Sequence, residues 1–283
     1  MARHGGLAAA VLLLCTWHGA LAEGVFVAIG GSSALLQYRV ADPDHGLEAR
    51  LRFPAEAAVG SIGYEREAGE NGVLRLTFSH RIASGTPVGS DTDWHAGAVT
   101  VYSESRTRLK RYLAANAAYL HSVREGLGVG MELFYEGWKL SWHDTQQRNY
   151  DDGITDEISG ETVRFTQELG GTRLYLHLEK RLPAWRWSAK AGVEIDRHRS
   201  RDDHLLRGFY SVGNDWLIGS CLAFEAVLYE DGASSLQLGA AYRRVKGVGD
   251  MAFYYDFGRR YMTLPATYTT RVGTASLRYT YRF

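Results

Sequence analysis

The stretch GTASLRYTYRF, Gly273 to Phe283, alternates strictly. Ala275, Leu277, Tyr279, Tyr281 and Phe283 are apolar or aromatic, whereas Thr274, Ser276, Arg278, Thr280 and Arg282 are polar. Period-two alternation marks a strand with one apolar and one wet face. The pattern recurs upstream. Trp185, Trp187, Ala189, Ala191, Val193 and Ile195 oppose Arg186, Ser188, Lys190, Glu194 and Asp196. Leu174, Leu176 and Leu178 oppose Arg173, Tyr175, His177 and Glu179, and Leu74, Leu76 and Phe78 oppose Arg75, Thr77 and Ser79. Leu236, Leu238, Ala240 and Tyr242 oppose Gln237 and Arg243. The strands are long, and no helix-period segment is present to cover their apolar faces. A closed barrel with lipid outside and a polar lumen satisfies every backbone group in hydrocarbon. The expected fold is all-β: a ten-stranded antiparallel transmembrane β-barrel.

The N-terminus supports export. MARHGGLAAAVLLLCTWHGALAEG has one early Arg, an apolar core from Leu7 to Leu14, and Ala20-Leu21-Ala22 ahead of Glu23. This reads as a secretory signal peptide over residues 1–22, with the barrel over 23–283. The strand closed by Phe283 resembles the end of bacterial outer-membrane barrels, which implies the outer membrane of a Gram-negative cell and the barrel-assembly machinery as a partner of the C-terminal strand. Without residues 1–22 the chain carries 31 Lys plus Arg (32 less Arg3) against 32 acids. That balance gives no reason to expect nucleic acid as a partner. Cys221 is then the one cysteine, so no internal disulfide is expected.

Ten strands are expected at roughly 24–40, 46–67, 72–83, 105–121, 126–143, 162–180, 185–200, 209–229, 235–247 and 267–283. Short connections at Glu67–Gly72, Ser122–Gly126, Arg181–Trp185 and Glu230–Ser234 read as periplasmic turns. Longer ones at Ala83–Glu104, Asp144–Glu161, Arg197–Gly208 and Lys246–Ala266 read as extracellular loops, and Asp42–Gly46 is a short exception. Trp185, Trp187, Tyr281 and Phe283 are placed in a periplasmic aromatic girdle. Gly126-x-Gly128-x-Gly130 lies in this strand and turn context and is not a nucleotide loop.

Two stretches carry candidate chemistry. In SRDDHLLRG, Ser200 to Gly208, the wet parity of the seventh strand continues through His198, Ser200, Asp202 and His204. Asp202 and His204 then point into the barrel mouth, and Asp203 points away. A carboxylate two residues from an imidazole on one face fixes the ring tautomer and leaves the other nitrogen free as a general base. In GSDTDWHAG, Asp91 and Asp93 project to one side of an extended backbone. The first stretch follows the seventh strand and the second follows the third, so in a ring of ten they lie nearly opposite each other. Two acidic elements facing each other across a cleft can hold and activate a water.

These residues resemble the omptins, ten-stranded outer-membrane endopeptidases. Asp91-Thr92-Asp93-Trp94 is similar to the omptin Asp-x-Asp-Trp, Glu104-Ser105-Arg106 to the Glu-Ser-Arg opening the fourth strand, and Asp202-Asp203-His204 to the Asp-x-His above the seventh. The resemblance spans residues 23–283 in strand order. It implies an aspartyl-type endopeptidase with water as nucleophile, His204 as base, Asp202 as its orienter, and Asp91 with Asp93 as the opposing pair. No cofactor is implied. Polypeptides at the cell surface are the implied substrates, and outer-membrane lipid and lipopolysaccharide, bound at basic residues on the outer wall, the implied partners. Omptins hold basic substrate side chains with two buried acids. Here Ser200 occupies one of those positions, and the other falls near Tyr38, where no acid is present. The implied preference for dibasic sites therefore does not carry over.

Other clusters read as structural. Asp42-Pro43-Asp44-His45 reads as a hairpin tip. Asp151-Asp152 and Asp156-Glu157 read as a solvated acidic loop rather than a Ca²⁺ site. His143, His177 and His198 lack metal-ligand spacing. Glu194, Glu179 and Arg173 read as a lumen charge network. Two other functions compete with the protease: a non-enzymatic barrel, adhesin or structural, that keeps the fold, and a small channel or lipid-processing barrel. Crowded ten-strand lumens oppose the channel, and no persuasive Ser-His-Asp arrangement supports a lipid hydrolase.

Overall fold

The computed structural model describes residues 23–182, 185–255 and 257–283. Residues 1–22, read as a signal peptide, lie outside them, as do Pro183 and Ala184 of one expected turn. The described chain forms one antiparallel sheet of eleven strands: β1 (Glu23–Asp42), β2 (Leu47–Glu67), β3 (Gly72–Ser84), β4 (Val88–His95), β5 (Ala98–Arg124), β6 (Leu127–Asn149), β7 (Thr155–Arg181), β8 (Arg186–His204), β9 (Phe209–Glu230), β10 (Ser234–Tyr255) and β11 (Arg260–Arg282). From β5 onward each strand pairs with the next, and β1 pairs with both β2 and β11, so the sheet closes. β3 and β4 each lie between β2 and β5 and share one place in the ring. The barrel therefore has ten positions, as the alternation predicts. The break falls at Gly85–Pro87. Proline has no N–H for the ladder, and there the Pro87 carbonyl accepts from the Thr107 N–H at 2.7 Å while the Gly85 N–H donates to the Glu56 carbonyl at 3.0 Å.

The periplasmic connections are short, as expected. The four stretches expected as extracellular loops are not loops. They are the upper halves of long hairpins, with β4 and β5 turning at Ala96-Gly97, β6 and β7 at 150–154, β8 and β9 at 205–208, and β10 turning into β11 after Tyr255. Above lipid the outer face meets water, so charges replace the apolar half of the alternation and the sequence no longer looks like strand. The ladder persists because the backbone pairs regardless.

The outer wall shows where lipid ends. On β8 the outward positions run Trp187, Ala189, Ala191, Val193 and Ile195, then Arg197, Arg199 and Arg201. On β5 Leu113 gives way to Arg111, Lys110, Arg108 and Arg106, and on β10 Tyr242 gives way to Arg244 and Lys246. Ser200 to His204, and with them β4, stand above this band. Trp185, Tyr281 and Phe283 are exposed at the opposite end.

Within the band the lumen is crossed by ion pairs. Arg243 on β10 pairs with Glu136 on β6 and with Glu194 on β8 at 3.2 Å, and Arg173 pairs with Glu132 and, at 2.6 Å, with Glu194. Lower down, Arg75 reaches Glu65 at 3.0 Å and Glu225 at 3.9 Å. Glu194 and Arg173 thus belong to the expected network. Glu179 sits apart at the periplasmic rim, 3.9 Å from Arg186. Above the charges lies an apolar plug that includes Leu36, Phe53, Leu140, Phe165, Leu169, Leu217, Val245 and Met251.

Candidate functional site

The acid-bearing strand β4 is held on three sides. Its N-terminal end needs Gly89, where a side chain would collide with Trp142 and Thr107. Its C-terminal end is set by a two-residue turn in which Ala96 (φ 49°) and Gly97 (φ 83°) both take positive φ, as a type I′ hairpin requires. Its register is fixed by Asp91 opposite Leu51 on β2 and Ser103 on β5. Leu51 is buried inside the barrel, so Asp91 and Asp93 face the mouth. Asp91 is buried, and Asp93 is partly covered. Trp94 lies on the outside, where Arg50 sits 5.1 Å over its ring.

On the opposite wall, the parity of β8 holds to its last residue. Asp202 and His204 are buried on the inner face, with Asp202 Oδ2 3.3 Å from His204 Nε2. Asp203 points outward and pairs with Arg201 at 2.7 Å. A four-residue turn brings the chain back so that Phe209 pairs with His204 and stacks on its ring at 4.4 Å. Tyr38 on β1 donates a hydrogen bond to Asp202 Oδ2. Beneath these groups Phe53 stacks on Phe165 at 4.2 Å and on Trp142 at 4.6 Å. The site therefore has an aromatic floor.

The two walls act on each other. Burial, then the Asp93 carboxylate, push Asp91 up to about 7, against the opposing pull of His204 and Arg207. Burial also raises Asp93, against Arg207 and His204. The two carboxyls titrate as a pair. Burial opposes the cation on His204, but the charge and hydrogen bond of Asp202, with Asp91 adding to them, outweigh it and raise the imidazole. Asp91 and His204, from the third and seventh positions of the ring, are thus close enough to act on each other's protonation. Asp91 Oδ1 and Asp202 Oδ1 are buried without a hydrogen-bond partner among the described residues. Buried carboxylate oxygens demand a donor, and a water between the walls would supply one to each.

The structure brings all four expected residues, Asp91, Asp93, Asp202 and His204, to one cleft. Three neighbours were missed. Tyr38 brings no carboxylate, yet its parity with Leu36 and Val40 turns it inward. Arg207 sits in a turn, and nothing in its local sequence aims it at the acids. Phe209 is found only through its pairing with His204. Of the motif Glu104-Ser105-Arg106, Ser105 faces inward and shares a hydrogen bond with Thr145 at 2.7 Å, while Glu104 and Arg106 are exposed on the outer side. The other clusters stay apart from the cleft chemistry. His45 Nδ1 lies 2.8 Å from Asp42 Oδ2 across the expected hairpin tip. Asp152 accepts from the Ile154 N–H at 2.9 Å within its own turn. His198 is buried against Tyr268 at 4.5 Å.

Among solved structures, the chain is similar to the crystal structure of the outer membrane protease OmpT from Escherichia coli. The TM-score is 0.76 with 14% identity, covering 94% of this chain and 99% of that one. The fold is that of an outer-membrane β-barrel. The translocator domain of the autotransporter NalP from Neisseria meningitidis is a weaker match, with a TM-score of 0.44 and 13% identity over 97% of this chain and 93% of that one. No family model and no curated protein sequence matches the chain.

Proposed function

We propose that this chain is an omptin-like endopeptidase of the outer membrane, hydrolysing polypeptides at the extracellular mouth of its barrel. The observation that carries this reading is the facing of Asp91 and Asp93 with Asp202 and His204 across one cleft. With Nε2 turned to Asp202, the Nδ1 atom of His204 takes a proton from water. Asp91 and Asp93 hold that water from the other side. Hydroxide adds to the peptide carbonyl carbon, and the tetrahedral species collapses with loss of the amine, which takes the proton back from His204. No covalent bond to the enzyme forms.

The partners follow from the wall. Arg106, Arg108, Lys110 and Arg111 on β5, with Arg197, Arg199, Arg244 and Lys246 elsewhere, form a basic collar directly above the lipid band. Such a collar suits the phosphates of lipopolysaccharide, which we propose as a bound lipid needed for activity. Export by residues 1–22 and assembly through β11 belong to the same proposal.

The competing reading is a barrel that keeps the fold without the reaction. It is favoured by Tyr38, whose hydroxyl already engages Asp202, and by Ser200. Protein refolded with lipopolysaccharide and given a diverse peptide library decides between them. The peptidase reading expects new termini from the wild type and none from His204→Ala. Equal cleavage by the variant would remove His204 from the mechanism, and no cleavage by the wild type would favour the competing reading.

A further inference from the structure

Beyond the cleft, β9, β10, β11 and the turn between the last two carry an aromatic series that the chemistry above does not use. It starts at Phe209, stacked on His204 at 4.4 Å. Phe253 lies 6.2 Å from Phe209 and Tyr261 6.1 Å from Phe253. Tyr255 follows at 4.6 Å from Tyr261, and Phe257 at 5.2 Å from Tyr255. The rings form a continuous path from the candidate base to the tip of the last hairpin.

Two observations separate this path from a lipid girdle. Phe253 and Tyr255 share the inner parity of β10 with Val245 and Met251, which are fully buried in the barrel. They also lie well above Arg244 and Lys246, the β10 contribution to the basic collar. Outward on the same hairpins are different rings, Tyr210 and Tyr254, stacked on each other at 5.1 Å, with Arg201 3.9 Å over Tyr210. The series nonetheless remains open: Tyr255 on the inner face is 42% exposed, and Tyr261 and Phe257, which its ring contacts, are 39% and 77% exposed. Open apolar surface that faces a cleft is a binding surface.

We propose that the path from Phe209 to Phe257 is a subsite that takes the apolar side chains of an extended polypeptide on one side of the scissile bond. This rests on the peptidase reading and names the substrate class for it. Same-face side chains of an extended chain recur about every 6.6–6.8 Å, and successive rings lie 4.6–6.2 Å apart, so the series presents apolar surface to several such side chains without a gap. The contact at His204 puts the inner end of the path beside the carbonyl under attack, on the wall opposite Asp91 and Asp93. The preference is accordingly one-sided.

The test uses full-length barrel refolded with lipopolysaccharide and peptides that share one cleaved core. Leu, Phe, Ser or Lys is placed at successive positions on either side of that core. Wild type should prefer Leu and Phe over Ser on one side only, by about tenfold in kcat/KM for a well-placed side chain. Phe253→Ala and Tyr255→Ala should erase the preference through KM with kcat little changed. A heat-modifiable gel shift shows that each variant is folded. A second arm measures binding of the fluorescent Leu and Ser peptides to His204→Ala, independently of turnover. Cleavage without any one-sided preference would overturn the subsite and leave the peptidase reading intact. Equal binding of the two peptides would also overturn it. Selective binding of the Leu peptide without cleavage by wild type would uphold the subsite and defeat the peptidase reading.

Discussion

Asp202 and His204 sit two residues apart on the inner face of β8, with Oδ2 3.3 Å from Nε2, both buried. A carboxylate so placed holds one imidazole nitrogen as a donor and frees the other as a base. Asp202→Asn keeps the shape and removes the charge. It should lower kcat roughly 10²- to 10⁴-fold, the range of a general base held in the wrong tautomer or orientation, with the barrel still folded. Steady-state kinetics on one cleaved peptide measure this.

The pH profile should be set by the same groups. Water activation requires neutral His204 and an ionised Asp91–Asp93 pair. The imidazole is raised and Asp91 is pushed to about 7, so activity falls as pH drops through about 7. Arg207 lowers all three groups. Arg207→Ala should therefore move the acid limb of kcat/KM to higher pH. A residue that only shaped the turn would scale the profile without displacing it.

Asp91 also makes a stability prediction. Its carboxyl is raised in the folded state, so ionising it costs folding free energy, and that cost appears as pH rises above about 4 and grows until about 7. Asp91→Asn should raise the melting temperature at pH 8 and leave it nearly unchanged at pH 4. The gain at pH 8 should be on the order of a few kcal/mol at most. Thermal melts in detergent at the two pH values check it.

In the lumen, Glu194 is fully buried between Arg173 and Arg243. Glu194→Ala leaves two guanidiniums short of a partner and should destabilise the barrel by about 3–5 kcal/mol, measured by urea unfolding. Because Arg243 spans from β10 to Glu136 on β6, wild type should show no steady conductance in planar bilayers.

Parity makes much of this legible in the sequence. Ile195 facing lipid and Asp196 facing inward place His204 inside by counting alone, and the ten-position ring places Asp91 across from it. Counting failed where lipid stops. Above Arg197 and Arg111 the outer face is charged, so strands that continue to His204 and back to Ala98 look like loops. Pro87 divides the third position in two, a local break invisible to alternation. The approach of Tyr38 to Asp202 joins residues 164 apart, and Arg207 acts on the acids through its charge from the 205–208 turn. Neither leaves a trace in its neighbours along the chain.

The central claim is that the two walls work on a single water. Kinetics of Asp91→Asn, His204→Ala and the double variant test it most directly. Groups that act as a unit lose little more together than apart, so the double variant should be about as slow as the slower single one. Losses that multiply, or a wild type that cleaves nothing, would contradict the account.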